Sequence, residues 1–178
     1  MFRALVCATC LLGVGCAGHG QDAHMPGDAL GTFHVTAQLQ SDTCQAAFLG
    51  VTNPWQFDVE LSRKDSAIYW LNGSEAIPGD IAADGTSFSF ESGVEVTVVA
   101  PRGSVAGCVV DRADSANGQL SSASDDVSGF SSTLGFGYQE AANSDCGPWV
   151  GTGDGFAALP CSVNFAASAD RTKAPAPE

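Results

Sequence analysis

The sequence predicts an all-β fold: a single antiparallel meander that closes as an up-and-down barrel or splits into a β-sandwich, stapled by two disulfides. Three observations carry that expectation. Short runs with an apolar residue at every second position recur along the chain, the period that puts alternate side chains on one face of a strand. Gly, Asn and Asp turn dipeptides separate these runs at close spacing, which favours sequential antiparallel pairing. No segment offers the 3.6-residue apolar stripe of an amphipathic helix. The 178 residues, 44% hydrophobic and 15% charged, suit one domain with its own core and not a disordered chain.

The first alternation follows Gly31, with Phe33, Val35, Ala37 and Leu39 on one face and His34, Thr36, Gln38 and Gln40 on the other. Trp55, Phe57, Val59 and Leu61 repeat it, and a turn at Arg63 to Ser66 leads into Ala67 to Leu71. Asn72-Gly73 predicts a turn before a short strand from Ile77 to Ala82, and Asp84-Gly85 predicts another before Phe88 and Phe90. Ser92-Gly93 is expected to turn the chain again into Val94, Val96 and Val98. After Pro101-Arg102-Gly103, a strand over Val105 to Asp111 is expected, followed by an Asn117-Gly118 turn and a short run at Gln119 to Ser121. Phe130, Ser132, Leu134, Phe136 and Tyr138 align on a further strand. Glu140 to Gly155 is the longest irregular stretch, and a last strand over Leu159 to Ser168 places Cys161, Val163, Phe165 and Ala167 together. This gives nine or ten strands. A meander of that kind avoids open edges by curling into a barrel, an architecture similar to that of lipocalins and avidins, or by splitting into two layers. The lipocalins' Gly-x-Trp signature is absent, since Gly31-Thr32-Phe33 carries Phe where Trp belongs.

The N-terminus decides the compartment. Arg3 supplies a positive charge, Ala4 to Val14 an apolar run too short to span a bilayer, and Leu12-Gly13-Val14-Gly15-Cys16 closes it with small residues before a cysteine. That arrangement resembles the signal peptide and lipobox of bacterial lipoproteins, although Gly13 stands where that family prefers Leu. The resemblance implies cleavage before Cys16, lipidation of its sulfur and acylation of its amine, and so a membrane anchor. It further implies a cell-envelope location, in the outer membrane where the cell has one, since Ala17 gives no retention signal. The alternative is an ordinary secretory signal cut near Ala17 or Gly18, leaving a soluble periplasmic or secreted protein. The organisation expected is a signal peptide over 1–15, a lipidated N-terminus and flexible tether over 16–30, the all-β domain over 31–170 and a disordered tail over 171–178.

Of seven cysteines, Cys7 and Cys10 fall in the signal and Cys16 at the lipid site, leaving Cys44, Cys108, Cys146 and Cys161. An even number without C-x-x-C spacing in an exported chain reads as two disulfides and not as a metal site. Three pairings are possible. Cys44 and Cys146 lie in polar loop contexts and Cys108 and Cys161 in alternating strands, so Cys44–Cys146 and Cys108–Cys161 are expected.

The net charge of −13 repels phosphate backbones and excludes nucleic acid as a partner. It leaves basic proteins and neutral small ligands. No Gly-x-Ser-x-Gly elbow occurs, and His34 is the one histidine within the predicted domain. His19 and His24 fall in the tether, where a solvated spacer is the simpler reading. Asp80, Asp84, Gly85 and Glu91 match four positions of an EF-hand loop, but Ala82 replaces a required ligand and the flanks are strands, so a hairpin turn is expected and no metal. Carboxylate pairs able to hydrolyse glycosides are always available in so acidic a chain and carry no information. Trp55 and Trp70 fit core positions, while Trp149, among glycines in the long loop, is the candidate contact residue. The expected function is a lipid-anchored, non-catalytic structural or interaction module of the cell envelope, needing no cofactor. A small-ligand-binding barrel is the alternative, and a hydrolase acting through paired carboxylates comes after it.

Overall fold

A computed structural model describes residues 25–175 apart from 72, 74, 104, 105 and 154. Cys16, His19 and His24 lie outside the described residues, as do Val105 and the last three residues of the tail. Eight strands follow one another: β1 (Asp28–Asp42), β2 (Trp55–Lys64), β3 (Ala67–Leu71), β4 (Ile77–Ile81), β5 (Ser87–Val99), β6 (Cys108–Leu120), β7 (Gly129–Glu140) and β8 (Cys161–Lys173). Each pairs antiparallel with the next, and β8 pairs with β1, so the meander closes as an up-and-down barrel. Of the two architectures the sequence allowed, the barrel is the observed one. At its floor lie the connections 65–66, 82–86 and 121–128; at its rim lie 43–54, 72–76, 100–107 and 141–160, of which 43–54 and 141–160 are the longest in the barrel.

The alternation read from the sequence sets which side chains fill the barrel. Phe33, Val35, Ala37, Val59, Leu61, Ile68, Phe88, Phe90, Leu134, Val163 and Phe165 all point inward and are buried. A connected series of rings runs up the interior from Phe33 to Phe130 (centroids 5.6 Å apart), to Trp70 (5.7 Å), to Phe57 (6.2 Å) and to Trp55 (4.4 Å). Burying each such side chain contributes about 1.5–3 kcal/mol, so this series is a main source of stability. Two inward glycines make room for it. Gly79 faces Phe90 and Gly118 faces Phe88 across the ladders, and a Cβ at either would run into the facing ring.

That packing corrects one expected turn. Asn117-Gly118 lies inside β6, because Gly118 is the space Phe88 occupies and not a bend. Ser92-Gly93 likewise continues β5, so two expected breaks disappear and eight strands replace nine or ten. β1 starts three residues before Gly31, and β8 runs on to Lys173, where it still pairs with β1.

The disulfide pairing also differs from expectation. The bonds are Cys44–Cys161 and Cys108–Cys146, not Cys44–Cys146 and Cys108–Cys161. Barrel closure explains this. Cys44 follows the end of β1 and Cys161 begins β8, and the Thr43 N–H donates to the Ser162 carbonyl (2.9 Å) where those strands meet. Cys108 begins β6, while Cys146 follows the end of its neighbour β7, where the Ala141 N–H reaches the Val109 carbonyl (3.0 Å). Each bond therefore ties the rim ends of adjacent strands. With separations of 117 and 38 residues, the chain-entropy estimate is about 5 and about 4 kcal/mol.

The barrel wall is uneven. β3 and β4 have five residues each, whereas β5 and β6 have thirteen. β4 meets β5 only through Gly79↔Phe90, Asp80↔Ser89 and Ile81↔Phe88. The next position on β4 is Pro78, which has no N–H to give a ladder, and pairing stops there. Above Phe90, β5 keeps its partner β6 on one side and, among the described residues, has no strand on the other.

Candidate ligand-binding site

The notch left by short β3 and β4 opens into a cup of ≈ 360 Å³ in the upper half of the barrel. Trp55, Phe57, Trp70, Phe90, Leu134 and Phe136 form its apolar wall. Such a volume falls at the lower end of the about 300–1,000 Å³ usual for small-ligand pockets. Its position follows from the inward rows across β5, β6 and β7. The row Phe90–Ala116–Leu134 floors it, Ser92–Asp114–Phe136 comes next, and Val94–Arg112–Tyr138 lies at the top. Ala116 is the small residue that leaves space between Phe90 and Leu134.

Charge enters the cup on β6. Arg112 donates to Asp114 through both Nε (2.8 Å) and Nη2 (2.7 Å), a two-bond fork between residues on the same strand face. The pair is half-buried, with side-chain exposures of 35% and 22%. Two opposite charges turned inward among aromatic rings lose hydration, and the forked geometry compensates by satisfying both. Tyr138 stands beside Arg112 in the ladder. Its phenol is pushed above the ordinary range mainly by burial, with Arg112 opposing and Asp114 and Asp42 adding to the rise, so it stays a neutral hydrogen-bonding group at physiological pH. A wider depression of ≈ 530 Å³ continues past Arg112 along β5, β6 and β7, lined by Val94, Glu95, Asp111 and Tyr138 among others.

The residues singled out by sequence lie elsewhere or play other parts. Trp149 ends a single 3₁₀ turn, Gly147–Trp149, on the rim loop held by Cys146; it is 36% exposed and does not line the cup. Trp70 is buried as expected, whereas Trp55 is only half-buried and gives one face to the cup. His34 lies on the outer face of β1 with Nδ1 2.7 Å from Asp58 Oδ1, its ladder partner on β2. The EF-hand-like segment is the expected hairpin turn. Asp84 accepts hydrogen bonds from the Ser87 hydroxyl (2.6 Å) and from the N–H groups of Ser87 and Thr86 (2.8 Å each). Those bonds, the Ser87 hydroxyl first, hold its carboxyl at about 2 against an ordinary 3.8. Among the described residues no three His, Cys, Asp or Glu converge as a metal site.

Sequence reasoning missed Arg112 and Asp114. The signal was parity: Cys108, Val110, Ala116 and Leu120 are buried and share even numbering with both, but the expected strand stops at Asp111 and leaves Arg112 and Asp114 in the connection to the Asn117-Gly118 turn. Exposed charge was the default reading for an Arg and an Asp on a strand.

No protein family, curated protein or solved structure matches this chain. An eight-stranded barrel of this kind is compatible with a lipocalin-like ligand-binding module or with a structural one. The two disulfides fit an oxidising, extracytoplasmic compartment, and among the described residues no helix is long and apolar enough to cross a membrane.

Proposed function

We propose that this protein is an exported, non-catalytic binding module of the cell envelope, tethered through lipid on Cys16, whose barrel takes up an apolar or aromatic group in the cup between Trp55, Phe57, Trp70 and Phe136. One observation carries the reading: the lower barrel is packed with rings, yet the upper half leaves an aromatic cavity with a forked ion pair on its wall. Apolar walls supply affinity by burying a ligand's surface, and the Arg112–Asp114 pair on the wall sets its orientation. A binding role in place of a catalytic one is supported by where the reactive groups are spent. His34 is paired with Asp58 on the outer face, all four cysteines of the barrel are in disulfides, and Asp84 caps its own turn.

The cup is tested with N-phenyl-1-naphthylamine, a neutral probe that brightens in apolar sites. Saturable brightening is expected with the wild-type protein, and a loss of at least about tenfold in affinity with Ser92→Trp, which places a large ring at the exposed rim of the cup while leaving the core intact. Absence of saturable binding, or binding unaffected in a folded Ser92→Trp protein, contradicts the assignment. The anchor is tested separately: Cys16→Ser should move the protein from the membrane fraction to the soluble one, and an unmodified mature N-terminus beyond Cys16 refutes it.

A further inference from the structure

We propose that the free edge of β5, Glu91–Val99, docks an extended polypeptide segment of a partner in which apolar and basic residues alternate. This deepens the cup reading and rests on it, because the partner's inward side chains would supply the group the cup receives. The edge comes first in the argument. Beyond Phe90, β5 has no ladder partner on the side away from β6 among the described residues, since pairing with β4 ends below Pro78. Alternate backbone N–H and C=O groups of the seven regular residues Glu91–Thr97, a length of about 23 Å, therefore face solvent in register for another strand before the register shift between Thr97 and Val99. Natural edges of that length are normally shielded by a covering element, a bulge or an inward-pointing charge. Here a bulge falls only toward the far end, where the register shifts between Thr97 and Val99, and the inward positions before it are Ser92, Val94 and Val96, with Val94 at 48% exposure.

Charge selects the occupant. The outer face of the same strand carries Glu91 and Glu95, and Glu95 stands opposite Asp111 on β6. A second copy adding antiparallel to this edge would set Glu91 and Glu95 against their own equivalents on a chain of net charge −13, a like-charge pairing that destabilises a ladder. A strand bearing Lys or Arg on that face instead meets Glu91 and Glu95, with Asp111 one strand further on adding to the negative field, while its apolar residues turn inward over Val94 and toward Trp55 and Phe136. Main-chain bonds to β5 give affinity independent of sequence; the two faces give specificity.

The test uses the full-length mature protein and nine-residue peptides alternating Lys with Val, Phe or Trp. These should slow amide hydrogen exchange across Glu91–Val99 and bind on the order of tenfold more tightly than peptides with Glu in place of Lys. N-methylation of alternate peptide backbone nitrogens on the pairing edge should abolish the protection. Val94→Lys, a charge on an already exposed inward position, should remove binding without loss of folding, and Glu95→Lys should narrow the preference for basic peptides. Failure of every Lys peptide to protect Glu91–Val99 overturns the proposal, as does protection confined to the rim loop carrying Trp149. A concentration-dependent dimer that protects β5 by itself also overturns it, assigning the edge to a second copy. Naphthylamine binding without peptide protection sinks the edge while leaving the cup; peptide protection without naphthylamine binding does the reverse.

Discussion

Gly118 shows how much a single position decides. Its lack of a side chain lets the Phe88 ring cross β6 and pack edge-on against Phe130 (5.8 Å), in the middle of the ring series that fills the lower barrel. Gly118→Ala should therefore lower stability by about 1–3 kcal/mol, the usual cost of forcing a packed core apart. Gly93→Ala is the control: a Cβ there meets only the Arg112 carbonyl at 3.7 Å, and the change should be neutral or slightly stabilising. Urea unfolding of both variants checks the contrast; equal effects would mean that Phe88 does not depend on the gap at Gly118. In sequence the two glycines look alike, each after a polar residue between apolar runs. Only the neighbours across the two ladders, the Phe88 ring on β5 and the Ser131 carbonyl and Ser132 side chain on β7, separate a glycine that leaves space from one that does not, and all of them lie far along the chain. Arg112 and Asp114 were hidden for a related reason, because a charged residue on a strand is normally outward and nothing local marks the notch that lets these two face a cup.

At the scale of elements, the β4–β5 hairpin owes its turn to Asp84. Its folded carboxyl titrates at about 2, below its ordinary 3.8, so its contribution to stability is complete above about pH 4 and is lost as pH falls toward 2. Asp84→Asn should destabilise the protein near neutrality and give a shallower fall in urea midpoint between pH 4 and pH 2 than the wild type. Identical slopes would show that other carboxylates govern that range. This turn was legible in the sequence, as were the alternating strands, because Asp-Gly between apolar runs and a period of two are local signals. That Cys44, Cys108, Cys146 and Cys161 form two disulfides was legible as well; which cysteine joins which was not. Cys44 and Cys161 meet because the last strand closes onto the first, and local context, loop with loop and strand with strand, ranks the pairings without that closure. Pro78 is a middle case: a proline in a strand marks an edge, but which edge and how far β5 continues past it depend on the lengths of both strands.

Over the whole molecule, one asymmetry joins these features. The floor is closed by short turns and a packed ring series, while the rim carries both disulfides, the long loop with Trp149, and a wall that drops at β3 and β4 to open the cup. Two surfaces thus compete as the contact region: the Trp149 loop favoured by sequence and the aromatic cup shown by the fold. The protein's three tryptophans, Trp55, Trp70 and Trp149, report on both, since two line the cup and one does not. Each gives a single indole N–H resonance. Titrating the ¹⁵N-labelled mature protein with indole, small enough for a ≈ 360 Å³ cavity, should shift the Trp55 and Trp70 resonances together with the backbone amides of Ala116 and Phe136, and leave Trp149 in place. Shifts confined to Trp149 and its loop would contradict the cup and return the contact site to the rim.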